Sequence, residues 1–247
     1  MIYPIDAVIA VTYRCQSRCR MGSIWQITDH DDVHPGVYEN RPTPLLDVNL
    51  SGGEPFLRKD LDEIVRVVHG RIPRARIIVS TNALRGDALV PKALELVKID
   101  PGIGFGISID GIGEMQDFIR GVEGAYEKAR SVVKGRRAEG VEHIRLAFTL
   151  TRENADHMIR VYDLSKELGV QFTMSMAHDS EFFFGSHDSA IVKREGALFD
   201  DSALRGDLES IIRAELSTCK LKSWGKAFIY HGMYRVMTEG KRPFGNR

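Results

Sequence analysis

The chain has 247 residues, 43% hydrophobic and 28% charged, enough to bury one substantial core and within the range of single-domain barrel folds. Lysine plus arginine equals aspartate plus glutamate at 34 each, so no global field recruits nucleic acid, and an anionic ligand needs a local site. No stretch approaches the roughly 20 apolar residues of a membrane span, and the start MIYPIDAVIAVTYR lacks the basic opening and cleavage site of a secretory signal, so a cytoplasmic protein with no membrane partner is expected.

In chain order, β-branched runs predict six strands: Ala7 to Thr12, Asp47 to Leu50, Arg76 to Ser80, Gly104 to Ile109, Ile144 to Leu150 and Val170 to Ser175. Helical patterns alternate with them. Over Leu61 to His69, the residues Leu61, Ile64, Val65 and Val68 share one face; Tyr126 to Glu139 and Asn154 to Leu168 behave alike. Asp60 is expected to cap the first of these helices, and Thr151 or Asn154 the last. Beyond Ser175, HDSEFFFGSHDSA reads as a long loop, followed by a helix from Ser202 to Ser217 and an ending, GKRPFGNR, that reads as a linker cut short.

Strands alternating with helices imply parallel pairing through right-handed crossovers. The expected fold is α/β, a partial (β/α)6 TIM-type barrel, as one domain over residues 1–247. Its core would span about 1–180, with loop and helices over 181–247. In such a fold the loops leaving the C-terminal strand ends form the functional face.

Those loops carry the chemistry. Cys15 and Cys19 follow the first strand, and Cys219 stands far downstream. Three cysteines, two of them within five residues, fit metal or redox chemistry better than a disulfide framework. Two thiolates at this spacing can reach one metal centre, although an ordinary half-buried pair has the same spacing. After the second strand come Gly52, Gly53 and Glu54. Paired glycines let backbone approach a ligand, and Glu54 offers an acceptor to an amine, while a Gly-Gly turn is also common on steric grounds alone. The third strand ends in Ser80-Thr81-Asn82 and the fourth in Ser108-Ile109-Asp110-Gly111, small polar groups lining the same face.

In these segments, TYRCQSRCRMG, LSGGEPFLR, STNALR, SIDGIGEMQDFIRG and LAFTLTREN, the chain resembles the radical S-adenosylmethionine enzymes, most of all the branch that often carries a C-terminal cysteine-rich, SPASM-type extension. The resemblance implies a 4Fe-4S cluster held by C-x3-C-x2-C. S-adenosylmethionine would bind at its open iron, and a 5′-deoxyadenosyl radical would abstract hydrogen from a peptide or small organic substrate. It implies cofactor contacts from Gly52, Gly53, Glu54, Ser108 and Asp110, with Asn82 and Thr149 as neighbouring wall residues and Cys15 and Cys19 as metal ligands. A reductant protein such as a flavodoxin or ferredoxin is the implied electron donor.

The sequence departs from that pattern at position 22, where the third cysteine is expected and Gly22 stands. Three readings remain: a substituted copy of a form with cysteine there; a distant replacement ligand among Cys219, His30, His34 and His178; or a relative that keeps the barrel without radical chemistry. His30 and His34 with Asp31 and Asp32 form an alternative divalent-metal pattern. Arg120 reads equally as a carboxylate or phosphate contact or as an ion-pair residue, and Phe182 to Phe184 equally as pocket wall or loop anchor. Trp25 and Trp224 are expected to pack, and Lys134 to Arg137 to form a solvated helix end.

Overall fold

A computed structural model describes residues 4–28, 32–40, 45–139, 141–177 and 202–239, side chains of 136–138 excepted. Six strands, β1 (Asp6–Thr12), β2 (Asp47–Gly52), β3 (Arg76–Thr81), β4 (Gly104–Ser108), β5 (Ile144–Leu150) and β6 (Gln171–Met176), form one sheet in the order β1-β2-β3-β4-β5-β6. Every neighbouring pair is parallel. The expected partial TIM-type α/β architecture is therefore present.

Around the sheet run α1 (Leu61–Arg71), α2 (Val90–Ile99), α3 (Glu114–Arg120), α4 (Ala125–Ala138), α5 (Met158–Glu167), α6 (Ser202–Leu216) and α7 (Leu221–Glu239). The apolar stripe expected of the first helix lies wholly inside: Leu61, Ile64, Val65 and Val68 are buried. It belongs to one core cluster with the buried side chains of the strands. In β5 these are Ile144, Leu146, Phe148 and Leu150, alternating with less buried Arg145, Ala147 and Thr149, as one covered face and one partly open face require. Phe148 and Tyr162 flank Phe172, with ring centroids 6.2 Å and 5.5 Å away.

The inner face is polar and small. One row across four strands runs Ser80, Gly106, Arg145, Gln171. Ser80 Oγ donates to Asn49 Oδ1 at 2.8 Å.

Several local expectations change. Between β1 and β2 the described residues contain no α-helix, only 3-10 turns at Ile24–Gln26 and Pro35–Glu39, so the first unit is a loop excursion. Asp60 makes no side-chain cap; its carboxylate takes the buried Arg58, whose Nη1 also donates to the carbonyl of Val11 at 2.8 Å. Neither Thr151 nor Asn154 caps α5: Asn154 Oδ1 accepts from the Thr151 N–H at 2.7 Å and its Nδ2 donates to the Asp110 carbonyl at 2.9 Å. Trp224 is 50% exposed rather than packed. Lys134 is exposed and falls in the last part of α4, as expected of a solvated helix end. His30, Asp31, His178, Phe182 to Phe184, GKRPFGNR and the side chains of Arg136 and Arg137 lie outside the described residues.

Candidate active site at the strand tips

The two cysteines leave β1 on a loop that is held by its neighbours from both sides. On one side, Asn82 Nδ2 donates to Cys15 Sγ at 3.6 Å, and Gln16 Nε2 donates to Asn82 Oδ1 at 3.2 Å. On the other, the loop docks against the C-terminal end of α3. The Arg18 and Arg20 N–H groups donate to the carbonyls of Arg120 and Ile119 at 3.0 and 2.9 Å. Ser17 Oγ donates to the Arg120 carbonyl at 3.0 Å, and the Arg120 guanidinium reaches Cys19 Sγ at 3.6 Å. These contacts satisfy carbonyls that a helix end leaves without partners. Trp25 closes over the same loop, Nε1 donating to the Cys19 carbonyl at 3.3 Å.

Gly121 makes the docking possible. Its φ is +63°, and a Cβ there would sit 2.4 Å from the Arg18 carbonyl oxygen. The Gly52-Gly53 pair has a similar cause: added Cβ atoms would fall 2.2 Å from the carbonyl oxygens of Thr12 and Arg14 respectively. The close approach at these glycines is to the chain's own β1 end, where the N–H groups of Gly53 and Glu54 donate to Thr12 and Arg14 at 2.7 and 2.8 Å. Here the steric reading of the glycines is the one the packing displays.

Glu54 is fully buried. Its carboxylate accepts from the Phe56 N–H (3.1 Å), the Thr81 hydroxyl (2.9 Å) and the Asn82 N–H (2.7 Å), tying the end of β2 to the end of β3. Asp110 is equally enclosed. Its carboxylate pairs with Arg120 and accepts from the Thr149 N–H at 2.8 Å. Burial alone would lower the pKa of Arg120, but the Asp110 carboxylate and Cys19 sulfur more than reverse this and hold it charged. Ser108 is half-buried, and its carbonyl accepts from Gln116 Nε2 at 2.9 Å, while Gln116 Oε1 accepts from the Asp110 N–H at 2.6 Å. Of the two readings of Arg120, the ion pair is the one present. Sequence reasoning missed Ser17 and Gln116 and did not foresee what Thr81 and Asn154 hold, since a polar residue near the end of a strand or helix has no signature of its partner.

The strand tips thus bring Cys15, Cys19, Glu54, Asn82 and Asp110 together. Burial pushes the Cys15 thiol above its ordinary value, against the pull of the Ser17 N–H. The donor set falls short of the cluster that the motif implies. Among the described residues no group of three or more His, Cys, Asp or Glu side chains is placed to hold a metal ion. Cys219 is exposed in the turn between α6 and α7, and His34 Nδ1 is taken by the Gly36 N–H at 3.1 Å. Asp32 pairs with Arg14 instead of with a histidine. The residues present do not fit a three-thiolate site. Around Gly22, however, a Cβ would meet nothing within 4 Å, and the backbone there is not left-handed.

No protein-family profile matches the chain. It is 35% identical over 119 residues to an Fe-coproporphyrin III synthase of Methanosarcina barkeri, covering 48% of this chain and 28% of that protein. It is 37% identical over 126 residues to a pre-heme d1 synthase of Dinoroseobacter shibae (49% and 28%), and 31% identical over 131 residues to a PqqA peptide cyclase of Ruegeria pomeroyi (51% and 33%). The matches thus span only about a third or less of these relatives' lengths. Among solved structures, SuiB of Streptococcus suis bound to S-adenosylmethionine superposes with a TM-score of 0.65 at 17% identity, over 87% of this chain and 48% of that one. The structure anSMEcpe with bound AdoMet gives 0.58 at 16% identity, over 98% and 68%; at such identities these two establish the fold. The curated relatives, each matched over less than half of its own length, and the strand-tip cysteines agree with the likeness to radical S-adenosylmethionine enzymes that the sequence carries.

Proposed function

We propose that this barrel takes S-adenosylmethionine at its C-terminal strand tips, beside the Cys15–Cys19 loop, and belongs to a protein that acts on a peptide or small organic molecule by hydrogen abstraction. The observation that carries the reading is the convergence of Cys15 and Cys19 with Asn82 and the Glu54 crosspiece on one face. The relatives named for Fe-coproporphyrin III, pre-heme d1 and a PqqA peptide support a substrate that is organic and metabolite- or peptide-sized. In this role Gly52, Gly53 and Glu54 shape the wall beside the amino acid end of the nucleoside, and Ser108, Asp110 and Asn82 the wall beside its ribose. Arg120 holds the Cys19 loop in place. A flavodoxin- or ferredoxin-like protein would supply electrons to the family's cluster.

Gly22 favours a second state of the same scaffold: a chain that binds S-adenosylmethionine but retains little cluster. Both are tested by anaerobic loading with iron and sulfide. The expected result is little bound iron in the chain as it stands and about four irons per chain in Gly22→Cys, which then forms 5′-deoxyadenosine under reducing conditions. S-Adenosylmethionine binding is expected in both. Equally negligible iron in the two forms, or no S-adenosylmethionine binding in either, removes the proposal.

A further inference from the structure

At the opposite end of the strands lies a cavity of about 200 Å³, lined by Arg76, Gly104, His143, Arg145, Gln171 and Lys222 among others. Arg145 and Thr149 are four residues apart on β5, so at about 3.3 Å per residue the cavity floor is roughly 13 Å from the strand tips. It is separate from the cysteine loop.

The cavity is built around the Arg145 side chain. Gly106 has no side chain, and the Arg145 guanidinium lies in the space thus left: a Cβ at Gly106 would sit 3.3 Å from Arg145 Nε. That Nε is shut off from solvent and has no hydrogen-bond acceptor, and Arg145 forms no ion pair with a described residue. The nearby Asp47 is already taken, accepting from Arg76 Nε at 2.6 Å. Lys222, in the first turn of α7, brings a second cation and the positive end of a 19-residue helix to the rim. A donor shut off from water without an acceptor is costly, and proteins ordinarily pair it.

We propose that this cavity binds a carboxylate-bearing small molecule, one carboxylate lying against the Arg145 guanidinium and the rest of the ligand reaching toward Lys222 and Arg76. Two arguments select a carboxylate. The guanidinium is a planar fork that matches a carboxylate edge to edge. Arg145, Arg76 and Lys222 also spread positive charge along the cavity, which suits two carboxylates held apart on a short chain better than the concentrated charge of one phosphate. A volume near 200 Å³ holds about six waters, enough for a short dicarboxylate. Burial and the neighbouring Arg76 also pull the Arg145 pKa downward, the direction a bound anion would reverse. The site needs neither iron nor S-adenosylmethionine, so it stands or falls apart from the function proposed above.

The test is calorimetric titration of the full chain with succinate at low, constant ionic strength, without iron or S-adenosylmethionine. Saturable binding at one site per chain is expected. Affinity should fall about tenfold in Arg145→Gln and about threefold in Lys222→Gln, as losing a charge-assisted hydrogen bond or a rim charge implies. Inorganic phosphate at matched ionic strength should bind at least about tenfold more weakly. Lys222 is exposed at a helix start, so its variant reports even where Arg145→Gln fails to fold. No saturation with succinate, phosphate binding as tight as succinate, or unchanged affinity in Lys222→Gln overturns the proposal.

Discussion

The Arg120 guanidinium donates to Cys19 Sγ at 3.6 Å while paired with the Asp110 carboxylate. One side chain thereby links the cysteine loop, the end of α3 and the end of β4. Asp110 has no solvent exposure, so its charge depends on that partner.

Replacing Arg120 by methionine strands a buried carboxylate. A loss of about 3 kcal/mol or more is expected in urea unfolding, with most of it recovered when Asp110→Asn is added. A loss under about 1 kcal/mol would show that the pair is not a buried charge couple.

Gly121→Ala places a methyl on the Arg18 carbonyl and forces a left-handed residue that is no longer glycine. The expected cost is about 2 to 3 kcal/mol. The displaced loop should also expose Cys19, read as faster reaction with a thiol reagent under native conditions. An unchanged rate would mean that the loop holds its position without docking on α3.

Gly22→Cys meets open space. Its melting temperature without iron should match the parent within the equivalent of about 0.5 kcal/mol, so that any gain in iron uptake reflects the new thiol and not refolding. A marked fall in stability would show that the position tolerates no side chain.

Glu215 is buried and bridges Tyr162 and Lys166, at 3.1 Å and 3.0 Å. Burial alone would raise its pKa, but the Ser223 hydroxyl and the Lys166 ammonium more than offset this and hold it below 4.5. A depressed carboxyl adds stability that is complete above the unfolded value and disappears as pH falls through the folded one. Glu215→Gln should therefore cost about 1 to 2 kcal/mol at neutral pH. The gap to the parent should close only in acid, below about pH 4.5. A gap that stays constant into strong acid would remove this assignment.

Much of the fold is legible in the residues themselves. The stripe of Leu61, Ile64, Val65 and Val68 specifies a buried face and is buried as read, and the run Ile144 to Leu150, expected as a strand, is one. The strand-tip residues are legible as a group but not in their individual roles. Glu54 after a glycine pair reads as a ligand contact, yet here it accepts three bonds from its own chain, one from Asn82, 28 residues away. Asp110 finds Arg120 because α3 turns its last residue back toward β4. Such partners are fixed by the fold, not by local spacing. Between β1 and β2, where the described residues hold no α-helix, the anchor is equally remote in sequence: Arg58 donates to the carbonyls of Val11 and Val33.

The sheet begins at β1 and ends at β6, and among the described residues these two strands do not pair. Each edge strand therefore turns one row of backbone N–H and C=O groups away from the ladder, and the two outermost strands are tied to the sheet from one side only.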